Sequence, residues 1–310
     1  MPRPVVAISA GDPSGIGPEV LARALRLPAV RRALTPLVFG DASLARHLPA
    51  GALQAVSALP ASARRPGRPS RAGGVAQLAY VTAAIEAARA GRARALCTAP
   101  VSKEAISRAG VHGTGHTEVL AEAFGVPVLM LMSGPRLQVA LATNHLALAD
   151  VPRALTVPRL LAKLTLLSRE LGRWEGRLPR IAVCGLNPHA GDGGVLGREE
   201  QRVIAPAVKA ARRRGLDVHG PFAADGLFAL AGQGRFPYDV ALAMFHDQGL
   251  VAAKSLDFTR TVNVTVGLPV PRTSPDHGVA YALAGTGKAD PRPMAEALLR
   301  AARLARVTGT

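Results

Sequence analysis

The clearest structural signal in this 310-residue chain is the stretch Asp239-Val-Ala-Leu-Ala-Met-Phe-His-Asp-Gln-Gly-Leu250. Its uninterrupted apolar run is typical of a strand buried on both faces, and the run ends at His246. Two further apolar runs end in the same way, at 137–143 before His145 and at 181–186 before His189. Because open α/β sheets bind ligands outside the carboxyl ends of their strands, the three histidines predict a functional site at one sheet edge.

Strand-like and helical segments alternate along the whole chain, which predicts a parallel-rich α/β protein. Ser102 and Thr156 have the residue type and position of helix N-caps. Strands are expected at 5–10, 37–39, 95–98, 127–132, 137–143, 181–186, 236–244 and 261–266. Helices are expected from Pro18 to about 27, at 75–90, 157–171, 277–284 and 293–306, and in the segments that open at 115–118 and end at 214.

Composition excludes several classes of function. The net charge is +17, but the basic clusters lack interleaved aromatic residues and aromatics are only 4% of the chain, so no nucleic-acid partner is expected. No apolar run is long enough to span a membrane and the first residues lack a signal-peptide core, so we expect a cytoplasmic protein. Cys97 and Cys184 lie in apolar strand-like runs and are predicted to be buried thiols without a disulfide.

The three strand-end histidines suit a divalent metal such as Zn, Co, Mn or Fe(II), because imidazole is the commonest ligand of such ions. A structural role stays open for each histidine taken alone. Asn144, Asn187 and Asp247 are neighbours that would orient the ligands. The sequence leaves three other histidines as surface residues: His47, His112 and His219.

A second group of residues suits a phosphorylated substrate. His116 and Thr117 open a predicted helix, whose N-terminus attracts anions, and arginine binds phosphate with two parallel hydrogen bonds. Surface charges are the alternative interpretation for Lys254 and Arg272. The glycines at 191–197 resemble a phosphate-binding turn, but their spacing matches neither the dinucleotide fingerprint nor a Walker loop. The glycine-rich turn at 11–19 would let the backbone approach a ligand closely, or is a plain strand–turn–helix corner.

Seven motifs, in order along nearly the whole chain, resemble those of one enzyme family. They are Gly11-Asp-Pro-Ser-Gly-Ile-Gly-Pro-Glu19, Thr98-Ala-Pro-Val-Ser-Lys103, Gly115-His-Thr-Glu118, Asn187-Pro-His-Ala-Gly191, Phe245-His-Asp-Gln-Gly249, Val262-Asn-Val-Thr-Val-Gly-Leu-Pro269 and Arg272-Thr-Ser-Pro-Asp-His-Gly278. The chain resembles the 4-hydroxythreonine-4-phosphate dehydrogenase family of pyridoxal phosphate biosynthesis. One departure is Asn144, since the family usually has Thr before the histidine that corresponds to His145.

The resemblance implies an α/β fold of the isocitrate/isopropylmalate-dehydrogenase type, with two α/β/α domains flanking a cleft. Domain A would be discontinuous, 1–110 plus 278–310, and would hold the cofactor. Domain B, 111–277, would carry the metal, the substrate and the dimer contacts. The resemblance also implies an obligate homodimer whose active site is shared across the interface.

The same resemblance assigns residue roles. His145, His189 and His246 would hold one divalent metal (Zn, Co, Mn or Mg), with His246 reaching across from the partner subunit. The substrate would be bound by His116, Thr117, Lys254, Asn263 and Arg272. NAD would bind without the usual fingerprint, at Asp276, His277, Gly278, Ala284 and Gly285. No basic pocket for a 2′-phosphate is assignable from the sequence, so NAD is expected rather than NADP.

The implied reaction is an NAD-dependent, metal-assisted oxidation of 4-phosphohydroxy-L-threonine at its C3 hydroxyl. Decarboxylation would then yield 3-amino-2-oxopropyl phosphate, in pyridoxine 5′-phosphate biosynthesis. Lys254 is the expected proton acceptor, acting directly or through Asp247 or water.

Alternative functions remain open at this stage. A related dehydrogenase acting on D-erythronate or D-threonate 4-phosphate would share the metal and phosphate ligands. A relative that oxidises cis-dihydrodiols of aromatic acids would need no phosphate-binding cluster. A three-histidine metallohydrolase, from another class, would need a carboxylate base and no NAD.

Overall fold

The strands follow the predicted alternation with helices. The structure is a computed structural model that describes residues 2–110 and 116–308, and of residues 116–118 and 121 only the main chain. The strands in these ranges are β1 (Val5–Ser9), β2 (Thr35–Asp41), β3 (Leu53–Ser57), β4 (Ala95–Thr98), β5 (Leu129–Ser133), β6 (Gln138–Leu141), β7 (Ile181–Cys184), β8 (Val218–Phe222), β9 (Val240–Ala243), β10 (Val262–Val266) and β11 (Arg272–Pro275).

The two helices for which an N-cap residue was predicted begin at those residues. Ser102 Oγ accepts a hydrogen bond from the Ala105 amide, and Thr156 Oγ1 accepts one from the Arg159 amide. The α-helices in the described ranges are α1 (Gly17–Arg26), α2 (Pro28–Ala33), α3 (Arg71–Arg89), α4 (Lys103–Arg108), α5 (His116–Phe124), α6 (Val151–Ala154), α7 (Val157–Glu175), α8 (Ala205–Arg213), α9 (Ala224–Gly232), α10 (His246–Asp257) and α11 (Arg292–Val307).

The chain divides into two compact units, which we call unit 1 and unit 2. Unit 1 comprises residues 1–128 and 268–310, and unit 2 comprises residues 129–267. The chain therefore leaves unit 1 once and returns to it for its last segment. The domain limits expected from the sequence, at 110/111 and 277/278, stay a prediction.

Unit 1 is built on a parallel sheet with the strand order β3-β2-β1-β4-β11. Its central strand, β1, is buried from Val6 to Ser9, with Val6, Ala7 and Ile8 each at 0% exposure, as expected of a strand covered on both faces. Helix α3 packs against β1 and β2, and α11 packs against β11 and β4. The carboxyl end of β1 leads into the glycine-rich turn before α1.

Unit 2 is built on a mixed sheet with the strand order β10-β5-β6-β9-β7-β8. The pairs β10–β5 and β5–β6 are antiparallel, whereas β6, β9, β7 and β8 run parallel to one another. Strand β9, from the stretch quoted first, lies between β6 and β7. The carboxyl ends of these three strands therefore meet at one edge, as predicted.

Several sequence expectations need correction. The helix expected at 277–284 is wrong, because only a short 3-10 turn forms there, at Tyr281–Leu283. The sequence also gave no signal for β3, whose residues are half-buried or exposed, or for β11, whose Arg272 and Thr273 read as loop residues. Strand β8, which contains Gly220 and Pro221, was missed as well.

Both cysteines have the predicted environment. Cys97 and Cys184 are buried and free, and burial raises the pKa of each thiol to about 12. They are therefore protonated and unreactive at neutral pH. No helix in the described part of the chain is long and apolar enough to cross a membrane.

An ion pair holds the start of β9, and it makes the stability of unit 2 depend on pH. Asp239 accepts two hydrogen bonds from the Arg177 guanidinium and one from the Arg180 amide at 2.7 Å. The Arg177 hydrogen bonds lower the pKa of Asp239 below its ordinary value. A carboxyl with a lowered folded-state pKa stabilises the protein above its unfolded pKa of about 4, and that contribution is lost as the pH falls through the folded value.

We therefore expect Asp239→Asn to lower the free energy of unfolding by about 1–2 kcal/mol at pH 7. The difference between variant and parent should shrink as the pH falls from 4 towards 2. Urea denaturation at several pH values measures it, with Asp225→Asn, an exposed carboxylate on α9, as the control. A constant difference at all pH values would contradict the role given to this ion pair.

Candidate functional site

The β9–α10 turn is built by the residues of its own motif. The Gln248 side chain accepts a hydrogen bond from the Met244 amide at 2.7 Å and donates to the Gly185 carbonyl, just beyond β7, at 2.8 Å. Thr143, just beyond β6, donates from its hydroxyl to the Met244 carbonyl at 2.7 Å. A Cβ on Gly249 would lie 2.8 Å from side chains of β6, so glycine lets α10 pack closely on that strand. These bonds tie three strand ends together.

Two of the predicted metal ligands meet at this edge. The ring centroids of His145 and His246 are 5.6 Å apart, with the planes tilted by 44°. Both histidines line a cavity of about 330 Å³ together with Asn144, Phe245 and Asp247. Two imidazoles on one tetrahedral ion, at metal–nitrogen distances of about 2.1 Å, have centroids about 5 Å apart. The pair therefore has nearly the spacing that a shared ion requires.

Asp247 fixes the orientation of the His246 ring. Its Oδ1 lies 2.6 Å from His246 Nδ1, and its side chain is 81% exposed. A carboxylate that accepts the Nδ1 proton leaves Nε2 with a free lone pair, which is the nitrogen a metal would then bind. Asp247 also reaches solvent, so it has access to protons.

His189 lies in a strained loop beyond β7 and is exposed. His189, Ala190 and Asp192 have φ values of 53°, 53° and 43°, in the left-handed region that residues with a Cβ rarely adopt. Each such residue costs about 1 kcal/mol or more, so the surroundings must hold the loop in place. Backbone strain of this kind is concentrated at functional sites.

Glu200 is the residue that holds this loop. It is 4% exposed, and its Oε1 accepts hydrogen bonds from the Leu186 and Asn187 amides at 2.7 and 2.8 Å. Its Oε2 accepts one from Asn187 Nδ2 at 2.9 Å. The sequence did not reveal this role, although a glutamate three residues after the last glycine of a glycine-rich loop is a recognisable signal. Glu200 therefore positions His189 through Asn187.

We expect Glu200→Gln to lower the free energy of unfolding by about 1.5–3 kcal/mol, because an amide NH₂ would then face one of these donors. It should also weaken Zn²⁺ binding by about 10–100-fold. Glu199→Gln is the matched control, since Glu199 contacts Asn187 only once, at 2.7 Å. Urea denaturation in chelator and a Zn²⁺ titration measure the two effects. Equal behaviour of the two variants would rule out a special role for Glu200.

The three predicted ligands do not form a closed site within one chain. Among the described residues, no group of three His, Cys, Asp or Glu side chains is close enough to hold a metal ion. His145 and His246 come together, and no ring contact brings His189 to them. Within the described residues, the cavity is therefore lined by two imidazoles, those of His145 and His246.

Asn144 presents an unused acceptor at the same cavity. Within the described residues its Oδ1 is buried and accepts no hydrogen bond. A buried acceptor without a donor is costly unless a ligand supplies the donor. The residue also departs from the usual Thr of the resembled family.

The predicted substrate residues are distributed over both units. In unit 2, Lys254 is half-buried on α10 and Asn263 is half-buried on β10. In unit 1, Arg272 is 1% exposed on β11 and donates from Nη2 to Thr98 Oγ1 at 2.5 Å. The side chains of His116 and Thr117 lie outside the described residues.

The predicted cofactor residues belong to a loop that is anchored to the glycine-rich turn of unit 1. The Ile16 amide donates to the Val279 carbonyl at 2.9 Å, and Tyr281 donates from its hydroxyl to Asp12 Oδ2 at 2.6 Å. Burial raises the pKa of Tyr281 and the contact with Asp12 raises it further, so the phenol keeps its proton. Asp276, His277 and Ala284 are half-buried, whereas Gly278 and Gly285 are exposed.

Comparisons with known proteins agree with the motifs. The family model described as pyridoxal phosphate biosynthetic protein PdxA matches residues 17–301. The chain belongs to the PdxA family. A relative from Geobacter metallireducens, named 4-hydroxythreonine-4-phosphate dehydrogenase, is 46% identical to this PdxA-family chain. The alignment covers 99% of this chain and 97% of the relative.

Solved structures place the PdxA-family chain among dehydrogenases of one fold. A 4-hydroxythreonine-4-phosphate dehydrogenase from Klebsiella pneumoniae has a TM-score of 0.84 at 36% identity, over 97% of this chain and 99% of that one. A terephthalate 1,2-cis-dihydrodiol dehydrogenase from Burkholderia xenovorans has a TM-score of 0.66 at 32% identity, over 94% and 96%. A β-decarboxylating dehydrogenase from Thermococcus kodakarensis, with a TM-score of 0.51 at 14% identity over 96% and 81%, shares the fold alone. The predicted isocitrate/isopropylmalate-dehydrogenase-like α/β fold is confirmed.

Proposed function

We propose that the protein is a 4-hydroxythreonine-4-phosphate dehydrogenase. It would oxidise 4-phosphohydroxy-L-threonine at the C3 hydroxyl with a nicotinamide dinucleotide as hydride acceptor. The β-keto acid would lose CO₂ to give 3-amino-2-oxopropyl phosphate, in pyridoxine 5′-phosphate biosynthesis. Family membership supports the reaction, and the paired rings of His145 and His246 are the observation that carries it.

The donor set fits a divalent cation of the Zn, Co or Mn type. Two imidazoles lie about as far apart as ligands of one ion, and Asp247 leaves His246 Nε2 available. When bound, such an ion acts as a Lewis acid that lowers the alcohol pKa and stabilises the negative charge left by CO₂ loss.

The third ligand is proposed to come from a second copy of the chain. The resemblance implied that His246 reaches across a dimer interface, but its ring already lies beside that of His145 in the same chain. We therefore assign His189, in the exposed loop held by Glu200, as the ligand supplied to the partner subunit. The proposed homodimer has two such shared sites.

The chain's own residues are proposed to transfer the proton and to bind the substrate phosphate. Lys254 accepts the C3 hydroxyl proton through Asp247 or water. A relay suits the geometry better than direct transfer, because Lys254 lies eight residues beyond His246 on α10, a rise of about 12 Å along the helix. Asn263 and Arg272, with His116 and Thr117, are the proposed substrate ligands.

The deciding experiment measures formation of the reduced cofactor with 4-phosphohydroxy-L-threonine and with D-erythronate 4-phosphate, each with added Zn²⁺ and with chelator. Metal-dependent turnover of the amino acid, at a kcat/KM at least about tenfold higher, is the expected result. Preference for the hydroxy acid would indicate instead a dehydrogenase of four-carbon sugar-acid phosphates. Turnover of neither substrate would overturn the proposal. Family membership argues against the metallohydrolase alternative.

Asn144 gives a test of substrate choice. We expect Asn144→Leu to lower kcat/KM for the amino acid by about 10–100-fold, because a buried acceptor for its ammonium group is lost. The loss with D-erythronate 4-phosphate should be smaller, since a neutral hydroxyl makes a weaker bond. Asn144→Thr keeps an acceptor and serves as the matched variant. Equal losses with both substrates would remove Asn144 from substrate discrimination.

A further inference from the structure

Another cavity of unit 2 lies beside the one that the paired histidines line. It measures about 180 Å³, and its walls include Thr143 and Leu146, just beyond β6, and Arg159 and Lys163, on α7. Leu146 lines both cavities and directly follows His145 in the chain. None of the described residues that line the smaller cavity is a proposed ligand of the metal or the substrate. The cavity therefore adjoins the candidate site without belonging to it.

Helix α7 presents two cations to this cavity. Arg159 and Lys163 are four residues apart, so their side chains are neighbours on the helix, and two like charges at this spacing destabilise it. The ion pairs of α7 join Glu170 to Arg169 and Arg173 instead. Within the described part of the chain, neither Arg159 nor Lys163 forms an ion pair with a carboxylate. Both positive charges are therefore available to an anionic ligand.

Lys163 is the less solvated of the two cations. It is half-buried, in a cavity whose walls include the apolar Leu155 and Leu160. Arg159 is exposed, and its Nη1 donates a hydrogen bond to the Ala154 carbonyl, also at the cavity, at 3.2 Å. Burial lowers the pKa of the Lys163 ammonium group, and the charge of Arg159 lowers it further. An anion in the cavity would offset both effects, because a nearby opposite charge favours the charged form of the amine.

The volume of the cavity indicates a small ligand. Sites for drug-sized molecules measure about 300–1,000 Å³, and this cavity is smaller. A phosphate group is compact, and its oxygens accept hydrogen bonds from the guanidinium fork of an arginine and from the ammonium group of a lysine together. Size and charge therefore both favour a phosphate group over a larger or a neutral ligand.

We propose that Arg159 and Lys163 bind a phosphate group in this cavity, either as the free ion or on a small ester, at a second anion site beside the histidine pair. The segment between the two cavities connects them, because Leu146 lines both and follows His145. Thr143 ties the same segment to the end of β9. A bound anion would therefore stabilise the segment 143–146, which carries one of the proposed metal ligands.

The test measures how inorganic phosphate protects Lys163 from acylation in the full-length protein. An N-hydroxysuccinimide ester of acetic acid and mass spectrometry give a rate for each lysine, over a series of phosphate concentrations at an ionic strength held constant with chloride. Protection should saturate, with the rate at Lys163 falling about tenfold at about ten times the half-protecting concentration. The rate at Lys209, an exposed lysine on α8 outside the cavity, should stay unchanged. Glycerol 3-phosphate, used in parallel, shows whether the site takes esters as well as the free ion.

Arg159→Gln tests the second cation with the same readout. The half-protecting phosphate concentration for Lys163 should rise about tenfold or more, because a charge-assisted hydrogen bond is lost. Arg153→Gln, which removes an exposed arginine of α6 outside the cavity, is the charge-matched control and should change it by less than about threefold. Absent protection, equal protection of Lys163 and Lys209, or equal effects of the two variants would overturn the anion site. Because no turnover is measured, these outcomes are independent of the proposed dehydrogenase reaction.

Discussion

Replacing His145 or His246 with alanine is expected to release the bound metal and to lower kcat/KM about a thousandfold. Each change removes one of the two imidazoles whose centroids lie 5.6 Å apart. Loss of a catalytic Lewis acid removes several kcal/mol of transition-state stabilisation, and 4 kcal/mol corresponds to about a thousandfold in rate. Metal content per chain after dialysis and initial rates measure the two effects.

His219→Ala is the control for these changes. His219 lies on β8 with its Nε2 2.6 Å from Asp217 and its ring 5.3 Å from that of Tyr238, away from the cavity that the paired histidines line. It should keep the metal and at least about half of the activity. Full metal content and activity in His145→Ala would contradict the two-histidine centre.

Mixing variant chains shows which histidine crosses the proposed interface. If His189 serves the partner, mixing His189→Ala with His145→Ala chains restores about a quarter of the activity, because half of the dimers are mixed and each has one intact site. Mixing His145→Ala with His246→Ala restores none. Restoration in the second mixture would return the crossing role to His246.

The sheet edge that carries the candidate site was predictable because its signal is local. Apolar runs that stop at His145, His189 and His246 require strands that end there, and parallel strands present those ends together. Gln248 lies two residues after His246, and its side-chain amide forms hydrogen bonds to Met244, just beyond β9, and to Gly185, just beyond β7. Features that depend on residues close together in the sequence can thus be predicted from it.

The remaining features depend on contacts between distant segments. Glu200 reaches back to Asn187 across the glycine-rich loop, and its carboxylate is buried only after that loop folds. The segment 277–284 has helix-like spacing, but the Tyr281 hydroxyl and the Val279 carbonyl are bound to the glycine-rich turn. Such tertiary bonds override local propensity, and the single sequence contains no periodic sign of them.

Lys254→Met is expected to lower kcat about 10²–10⁴-fold and to leave dinucleotide binding unchanged. A proton must leave the C3 hydroxyl as hydride leaves the carbon, and a positioned base contributes an effect of that size. Methionine keeps much of the length and apolar bulk of the side chain but accepts no proton. Steady-state rates across pH 6 to 10 and calorimetric titration with the dinucleotide measure the two quantities.

The Lys254→Arg variant distinguishes a role of Lys254 in proton transfer from a role of its positive charge. Arginine keeps the cation that would attract the substrate phosphate, yet it does not give up a proton at these pH values. A proton acceptor at this position therefore predicts a low kcat in both variants, whereas a phosphate ligand predicts that arginine restores kcat and KM together. Lys209→Met, an exposed lysine on α8, controls for loss of charge in the same unit. Rescue by arginine would transfer the proton path to Asp247, whose carboxylate already contacts His246 and reaches solvent.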